Sequence, residues 1–117
     1  MALLRTVDGL AQKARLFRTL GDEPRLAVAE ELNGGERRVS DLAQYLHLSQ
    51  SSVSTHLAAL HAAGLAARRA DGRSAFYRFV DPSVGALLQA ADDVVVAIAQ
   101  QAYTCSQACC QPVVSAQ

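Results

Sequence analysis

The sequence contains no apolar run that is long enough to cross a membrane. Its longest uninterrupted run, from Val94 to Ala99, is far shorter than the about 20 residues that a spanning helix needs. The first residues do not combine a cationic segment with a long apolar one, so no secretory signal peptide is predicted. We therefore expect a cytoplasmic protein that has no membrane partner and whose thiols are reduced.

The sequence also lacks the arrangements that mark common enzymes. It has no glycine-rich phosphate loop, no acid and base paired on one framework, and no nucleophile with a partner. Half of its residues are hydrophobic and 19% are charged, which is too apolar for an intrinsically disordered chain. Its 117 residues fit one domain. A single globular domain without enzymatic activity is expected.

Net charge is absent as well, because 11 basic and 11 acidic side chains cancel. They are unevenly distributed, however. Between Arg37 and Arg78 six arginines stand against two acids, and the rest of the chain carries the balancing negative charge. A basic middle segment indicates a side that faces nucleic acid, although arginines that are merely solvated at the surface would give the same pattern.

Apolar spacing predicts two helices at the start of the chain. Apolar residues recur every three or four positions from Val7 to Leu20, as they do on one face of a helix. Asp22 then caps a second helix, which runs to about Leu32 and ends at the adjacent glycines.

The next segment predicts a helix-turn-helix followed by a β-hairpin. Ser40 and Ser49 each cap a helix, the second of which runs to Gly64, and two capped helices this close together are typical of a helix-turn-helix. The periodicity then changes, and the Asp71-Gly72 pair between two short runs predicts a hairpin. The fold class is therefore mainly α with a β-hairpin.

A long last helix is predicted after Asp81-Pro82-Ser83, and its apolar stripe is wider than a lone surface helix needs. Part of this stripe, like the first helix, would then pack against a second subunit. Burial in the chain's own core explains the stripe equally well.

The fourth helix has an outward face of small, uncharged side chains. With Val53 taken as the inward reference, Leu57 and Leu60 fall on the same side. Short polar side chains near the start of a helix suit entry into a major groove, although a serine-rich start also serves capping alone. The residues that fit base or phosphate contacts are Gln50, Ser51, Ser54 and Thr55. His56 flanks them, and a half-buried structural histidine is favoured there over a phosphate contact.

Three arginines, Arg68, Arg69 and Arg73, surround the predicted hairpin turn. Guanidinium groups on a protruding hairpin suit phosphates or a narrow minor groove. The alternative is that these arginines only serve solubility. Their position beside the predicted recognition helix favours contacts with DNA.

Several separated motifs together resemble the ArsR/SmtB family of bacterial winged-helix repressors. The likeness spans roughly residues 10 to 100, and the motifs that carry it are Phe17–Leu26, Val39–Ala43, Leu48–Leu57, Ala63–Leu65 and Asp71–Arg78. The resemblance implies a winged helix-turn-helix, a homodimer joined by the first and last helices, and operator DNA released when a metal or metalloid binds. It also places Gln50, Ser51, Ser54 and Thr55 at recognition-helix positions and Arg73 in the wing.

The sequence departs from the family's familiar sensing sites. Val39-Ser40 stands where a cysteine pair opens the third helix, and no histidine follows His61 to form a zinc-type site on the last helix. Asp92 and Asp93 by themselves are better explained as solvated charges than as ligands.

All three cysteines, Cys105, Cys109 and Cys110, instead lie in one six-residue stretch. On a helix Cys105 and Cys109 would stack one turn apart, and three thiolates make a soft site. Trivalent arsenic or antimony fits three thiolates, cadmium, lead and mercury stay open, and zinc would typically want a fourth ligand. We therefore expect a winged-helix domain over residues 1–104 and a sensing segment over residues 105–117.

The sequence leaves three alternatives to metalloid sensing open. Cys105 could join Cys109 or Cys110 in a disulfide, which would make a redox-responsive repressor. The thiols could be incidental. A metal-handling or redox protein could also use the winged helix for protein contacts only, and it would then have negligible salt-dependent affinity for DNA.

Overall fold

The computed structural model describes residues 7–108, with side chains for residues 8–102. Along the described chain the elements are α1 (Val7–Leu20), α2 (Glu23–Leu32), β1 (Arg37–Arg38), α3 (Val39–Leu46), α4 (Gln50–Ala62), β2 (Ala66–Asp71), β3 (Ser74–Phe79) and α5 (Pro82–Ala108). The chain divides into two compact units after Gly85, within α5. The predicted fold class, mainly helical with a hairpin, is confirmed.

Side-chain caps explain where α2 and α4 begin. The Asp22 carboxylate accepts a hydrogen bond from the Arg25 amide at 3.2 Å, and the Ser49 hydroxyl accepts one from the Ser52 amide at 3.1 Å. Both predicted caps are therefore confirmed. The predicted Ser40 cap is wrong, because α3 already starts at Val39 directly after β1, and its cap position is Arg38 without a capping hydrogen bond.

A left-handed residue makes the turn between α3 and α4. His47 has φ 58°, and its amide donates hydrogen bonds to the carbonyls of Ala43 and Gln44. The Leu48 amide also donates to the Ala43 carbonyl, at 3.0 Å. These bonds satisfy the last carbonyls of α3 and redirect the chain into α4, which produces the predicted helix-turn-helix.

The core of the first unit lies between α2, α3 and α4. Its largest fully buried side chains are Val28, Leu32, Leu42, Val53, Leu57 and Leu60. Burial of each contributes roughly 1.5–3 kcal/mol relative to exposure. The inward side of α4 is therefore the predicted one, and the polar side of this helix is left facing outward.

The three strands form an antiparallel sheet in the order β1-β3-β2. Asp71 pairs with Ser74, so Gly72 and Arg73 form the two-residue turn, one position later than the Asp-Gly pair indicated. Gly72 has φ 63°, and a glycine with positive φ in the first turn position is typical of a type II′ hairpin. Strand β1, whose two residues pair with Tyr77 and Phe76, is not among the predicted elements.

Helix α5 begins where the Asp81 carboxylate accepts a hydrogen bond from the Ser83 amide at 2.8 Å. Hydrogen bonds from the Ser83 side chain and amide lower the pKa of Asp81. Farther along α5 the large apolar side chains are exposed: Val94, Val95, Val96 and Ile98. In α1, Leu10 and Phe17 of the predicted apolar face are more than half exposed as well.

The expectation that no segment could span a membrane needs correction. Among the described residues, Pro82–Ala102 is long and apolar enough to do so by length and composition, and only 11% of the window is buried. Counting uninterrupted apolar residues missed it, because a few polar residues, among them Gln89, Asp92 and Asp93, interrupt the run without making the helix polar overall.

Candidate nucleic-acid interface

The first two turns of α4 present an exposed polar face. Gln50, Ser51, Ser54 and Thr55 are all exposed, whereas His56 is half-buried. Strands β2 and β3 follow α4 in the sequence, and α4 contacts β2. The structure therefore brings the predicted recognition residues together on one face of a helix whose other face is fixed in the core.

The four exposed side chains differ in how many of their hydrogen-bonding groups are already used within the protein. The Thr55 hydroxyl donates to the Ser51 carbonyl at 2.9 Å, and the Ser51 hydroxyl lies 3.4 Å from that of Ser49. Among the described residues, nothing forms a hydrogen bond with the side chains of Gln50 and Ser54. Gln50 and Ser54 are therefore the two that keep their full capacity for contacts with base edges.

The Phe76 ring on β3 lies between two arginines from the neighbouring strands. We call the hairpin of β2 and β3 the wing. The register aligns Arg38, Phe76 and Arg69 in one row across the three strands. The guanidinium carbons lie 5.2 Å (Arg38) and 4.5 Å (Arg69) from the centre of the Phe76 ring. Such cation–π contacts hold both side chains against the sheet.

Arg69 is also held by Glu36, which immediately precedes β1. Its Nε and Nη2 atoms donate to the two Glu36 carboxylate oxygens at 3.1 and 2.8 Å. These hydrogen bonds lower the pKa of Glu36 and raise that of Arg69. Asp71 adds a second carboxylate 3.8 Å from Arg69. The charge of Arg69 is thus compensated within the wing and the segment before β1.

The other two predicted wing arginines are exposed. Arg73 lies in the turn itself, and Arg68 pairs with the buried Tyr77 in the register. The positive φ of Gly72 sets the turn that carries Arg73 to the tip of the wing.

A cleft of about 180 Å³ lies between α4 and the wing. The residues that line it are Arg38, Val39, Ser40, Gln50, Ser54, Arg73, Ser74 and Ala75. Arg38 and Ser40 are members of this site that the sequence patterns did not indicate. The basic bias of the segment included Arg38, but only the pairing of β1 with β3 brings it beside the wing.

The described residues do not reach the predicted metal site. Residue 105 lies on α5, but its side chain and all of Cys109 and Cys110 fall outside the part of the chain that has described side chains. Within the described part, no group of three histidine, cysteine or acidic residues could hold a metal ion.

Comparison with known sequences gives a consistent family assignment. Residues 22–68 match the family model "Bacterial regulatory protein, arsR family". A probable mercury resistance operon repressor of Streptomyces lividans is 36% identical over 78 residues, which are 67% of this chain and 62% of that protein. The regulator NmtR of Mycobacterium tuberculosis is 36% identical over 81 residues, 69% of this chain and 68% of that protein.

The repressor SmtB of M. tuberculosis is 38% identical over 66 residues, which are 56% of this chain. The match spans only about half of that repressor, 49% of its length.

Solved structures show the same fold. A homodimeric winged helix-turn-helix domain from Mycobacterium bovis has a TM-score of 0.68 at 30% identity and covers 76% of this chain and 85% of that one. The antimony-specific transcriptional repressor AntR has a TM-score of 0.72 at 26% identity and covers 81% of this chain and 86% of that one. The fold is therefore a winged helix-turn-helix.

Proposed function

Because the chain belongs to the ArsR family of bacterial regulatory proteins, we propose that it is a transcriptional repressor that binds operator DNA as a homodimer. The observation that carries this proposal is the exposed polar start of α4 beside an arginine-bearing wing. Gln50 and Ser54 would contact base edges, while Arg68 and Arg73 would contact the backbone. Such a protein acts on DNA in the cytoplasm and is not an enzyme.

The exposed apolar side chains support the homodimer. Ile98 is 63% exposed on α5, beside the exposed Val94 and Val95, and large exposed apolar patches mark interaction sites. On α1, Leu10 is 57% exposed. The similar M. bovis domain is homodimeric. A membrane is the less favourable partner, because Asp92 and Asp93 lie at the middle of the segment Pro82–Ala102, where each carboxylate would cost about 2.5–3.5 kcal/mol.

The inducer is proposed to be arsenite or antimonite, bound by Cys105, Cys109 and Cys110. Three thiolates suit thiophilic ions, and similarity to an antimony-specific repressor and to a mercury resistance repressor supports this class. Cadmium, lead and mercury are the next candidates, and zinc would need a fourth ligand.

The position of residue 105 on α5 supports coupling of the thiols to the dimer. At 3.6 residues per turn, position 105 falls within about 20° of Val94 and of Ile98 around the helix. The proposed sensing segment thus continues from the apolar stripe that a second copy would cover. An ion bound there would favour a subunit orientation in which the two α4 helices no longer match major grooves about 34 Å apart.

Release of DNA requires that the ion prefer one orientation. An ion that bound both orientations with equal affinity would shift nothing. The DNA-free dimer must therefore bind the ion more tightly than the DNA-bound dimer does, and by reciprocity the ion-free dimer binds DNA more tightly.

The test is DNA binding by the reduced protein. Sites are selected from a random duplex library, and affinity is then measured at fixed salt with and without arsenite, antimonite, cadmium, lead, mercury or zinc. Tight, salt-dependent binding that arsenite or antimonite weakens supports the proposal. Negligible salt-dependent affinity would instead favour a metal-handling protein with a winged helix used for protein contacts.

A thiol-based redox response is the second candidate, because three cysteines lie within six residues. Oxidation would join Cys105 to Cys109 or Cys110. DNA release by a disulfide-forming oxidant and recovery with dithiothreitol, without any effect of arsenite, would favour this candidate.

A further inference from the structure

The cleft between α4 and the wing is lined by two arginines that come from different parts of the chain. Arg38 ends β1, and Arg73 lies in the β2–β3 turn. Ser40, Ser54 and Ser74 add hydroxyl groups to the same lining, and Gln50 adds an amide. No carboxylate belongs to the set of described residues that line it.

Both arginines have their charge available. Within residues 8–102 neither Arg38 nor Arg73 forms an ion pair, whereas the neighbouring Arg69 is neutralised by Glu36. The Phe76 ring, 5.2 Å away, steadies the Arg38 guanidinium without neutralising it. An uncompensated pair of cations beside several hydroxyl donors is a site for an anion.

We infer that this cleft binds one backbone phosphate of the DNA, with Arg38 and Arg73 contacting the same phosphate group. The inference rests on the proposed function, and it adds a particular contact to it. Gln50 and Ser54 line the same cleft, so the bound phosphate would set the depth and register at which α4 enters the groove.

The arginines of the wing region then have different roles. Glu36 occupies Arg69, whereas Arg38 and Arg73 stay available for the phosphate in the cleft and Arg68 for other backbone contacts. Arg69 acts as a positioning residue, because its bonds to Glu36 join the wing to the segment that leads into Arg38.

The experiment uses the full chain, its selected DNA site and the variants Arg38→Gln, Arg73→Gln and their double variant. The slope of log affinity against log salt changes by about 0.9 for each phosphate that the protein no longer neutralises. If both arginines bind one phosphate in each half-site, the slope for the dimer falls by about 1.8 in the double variant, and the two single effects are not additive. Arg18→Gln on α1 is the matched control and is expected to leave the slope unchanged.

Neutral methylphosphonates placed singly along the DNA identify the phosphate. One position in each half-site is expected to weaken binding by the wild type but not to weaken binding by the double variant further. Inorganic phosphate, titrated at constant ionic strength, is expected to compete only weakly, and less with the double variant than with the wild type, because it would occupy the same cleft without the other contacts of the duplex.

The outcomes separate this inference from the proposed function. A wild-type protein without salt-dependent DNA binding overturns the proposed function. Wild-type binding with a normal slope that the double variant retains overturns only the phosphate contact. A fall in slope of about 3.6 with two sensitive phosphates in each half-site shows that the arginines bind separate groups, and this result also overturns it. Circular dichroism verifies that each variant is folded.

Discussion

Arg69 and Glu36, 33 residues apart in the sequence, form a two-bonded ion pair at 2.8 and 3.1 Å that ties the first strand of the wing to the segment before β1. The same guanidinium lies over Phe76. The pair thus connects two distant parts of the chain and occupies Arg69, whereas Arg38 and Arg73 form no ion pair with the other described residues.

Replacing Glu36 by glutamine is expected to release Arg69. In each subunit of the dimer the freed arginine can neutralise one more phosphate, so the slope of log affinity against log salt becomes steeper by about 1.8. Binding to unrelated DNA sequences should tighten, because backbone contacts do not depend on sequence. Fluorescence anisotropy with specific and random duplexes measures both effects, and Glu31→Gln removes an equal charge from α2 as the control. An unchanged slope would mean that Arg69 stays unavailable to DNA for another reason.

The pair also predicts a pH dependence of stability. The pKa of Glu36 lies below its ordinary value of 4.5, mainly because Arg69 donates hydrogen bonds to it. A carboxylate whose pKa is lower in the folded state than in the unfolded state stabilises the fold at pH values above its unfolded-state pKa. This stabilisation is lost as the pH falls through the folded-state pKa. The difference in unfolding free energy between the wild type and Glu36→Gln should therefore be present at pH 7 and disappear in acid. A difference that persists below the folded-state pKa would contradict the assignment.

Gln50→Ala is expected to relax base specificity. Gln50 lies in the first turn of α4, is exposed and keeps its amide free of hydrogen bonds to other described residues. Removing a bidentate base contact costs about 1–3 kcal/mol of discrimination at one base pair. Selection of binding sites before and after the substitution measures this, with Gln44→Ala on α3 as the control. A decrease in affinity that is uniform over all sequences would assign Gln50 to the backbone instead.

Gly72→Ala is expected to damage the wing tip. Its φ of 63° costs an L-residue about 1–2 kcal/mol, and the strain falls on the turn that presents Arg73. The stability measured by chemical denaturation and the affinity for DNA should both decline. Gly34→Ala is the matched control, because the φ of Gly34 is not positive and an added methyl group meets only the flexible side chain of Arg37. Equal destabilisation by the two substitutions would contradict this account.

Ile98→Glu is expected to dissociate the dimer. A charge placed on the exposed apolar stripe of α5 would be buried at the seam, and a symmetric interface would bury it twice. The dimer dissociation constant should rise by more than about tenfold, as measured by sedimentation velocity. Gln100→Glu is the control, because it places the same charge at a position of α5 that is already polar, and it should leave the dimer intact. A stable Ile98→Glu dimer would place the seam elsewhere.

Much of the architecture can be predicted because it depends on local signals. The caps at Asp22 and Ser49 and the inward side of α4 marked by Val53 are properties of short segments, and the structure confirms them. The hairpin is predicted as well, but its turn lies one residue later than the sequence pattern indicates, because the register of β2 and β3 decides whether Asp71 pairs or turns.

The non-local features cannot be read from the sequence. β1 has only two residues and exists because β3 pairs with it, so no periodicity marks it. The Arg69–Glu36 pair and the cleft depend on that pairing too. Serine favours cap positions, which predicts a cap at Ser40, yet the short strand leads the chain into α3 two residues earlier, with Arg38 at the cap position. All the predicted ligand contacts stay predictions: the DNA contacts of Gln50, Ser51, Ser54, Thr55, His56, Arg68, Arg69 and Arg73, and the metal ligands Cys105, Cys109 and Cys110.

The measurement that tests the central claim most directly is an arsenite and antimonite titration of the reduced dimer on its DNA site, for the wild type and for Cys105→Ser. We expect the wild type to release DNA as thiolate absorption of the ion complex appears. Cys105→Ser should lose both signals while binding DNA normally without the ion. Ion-driven release by a protein in which Cys105, Cys109 and Cys110 are all serine would contradict the account.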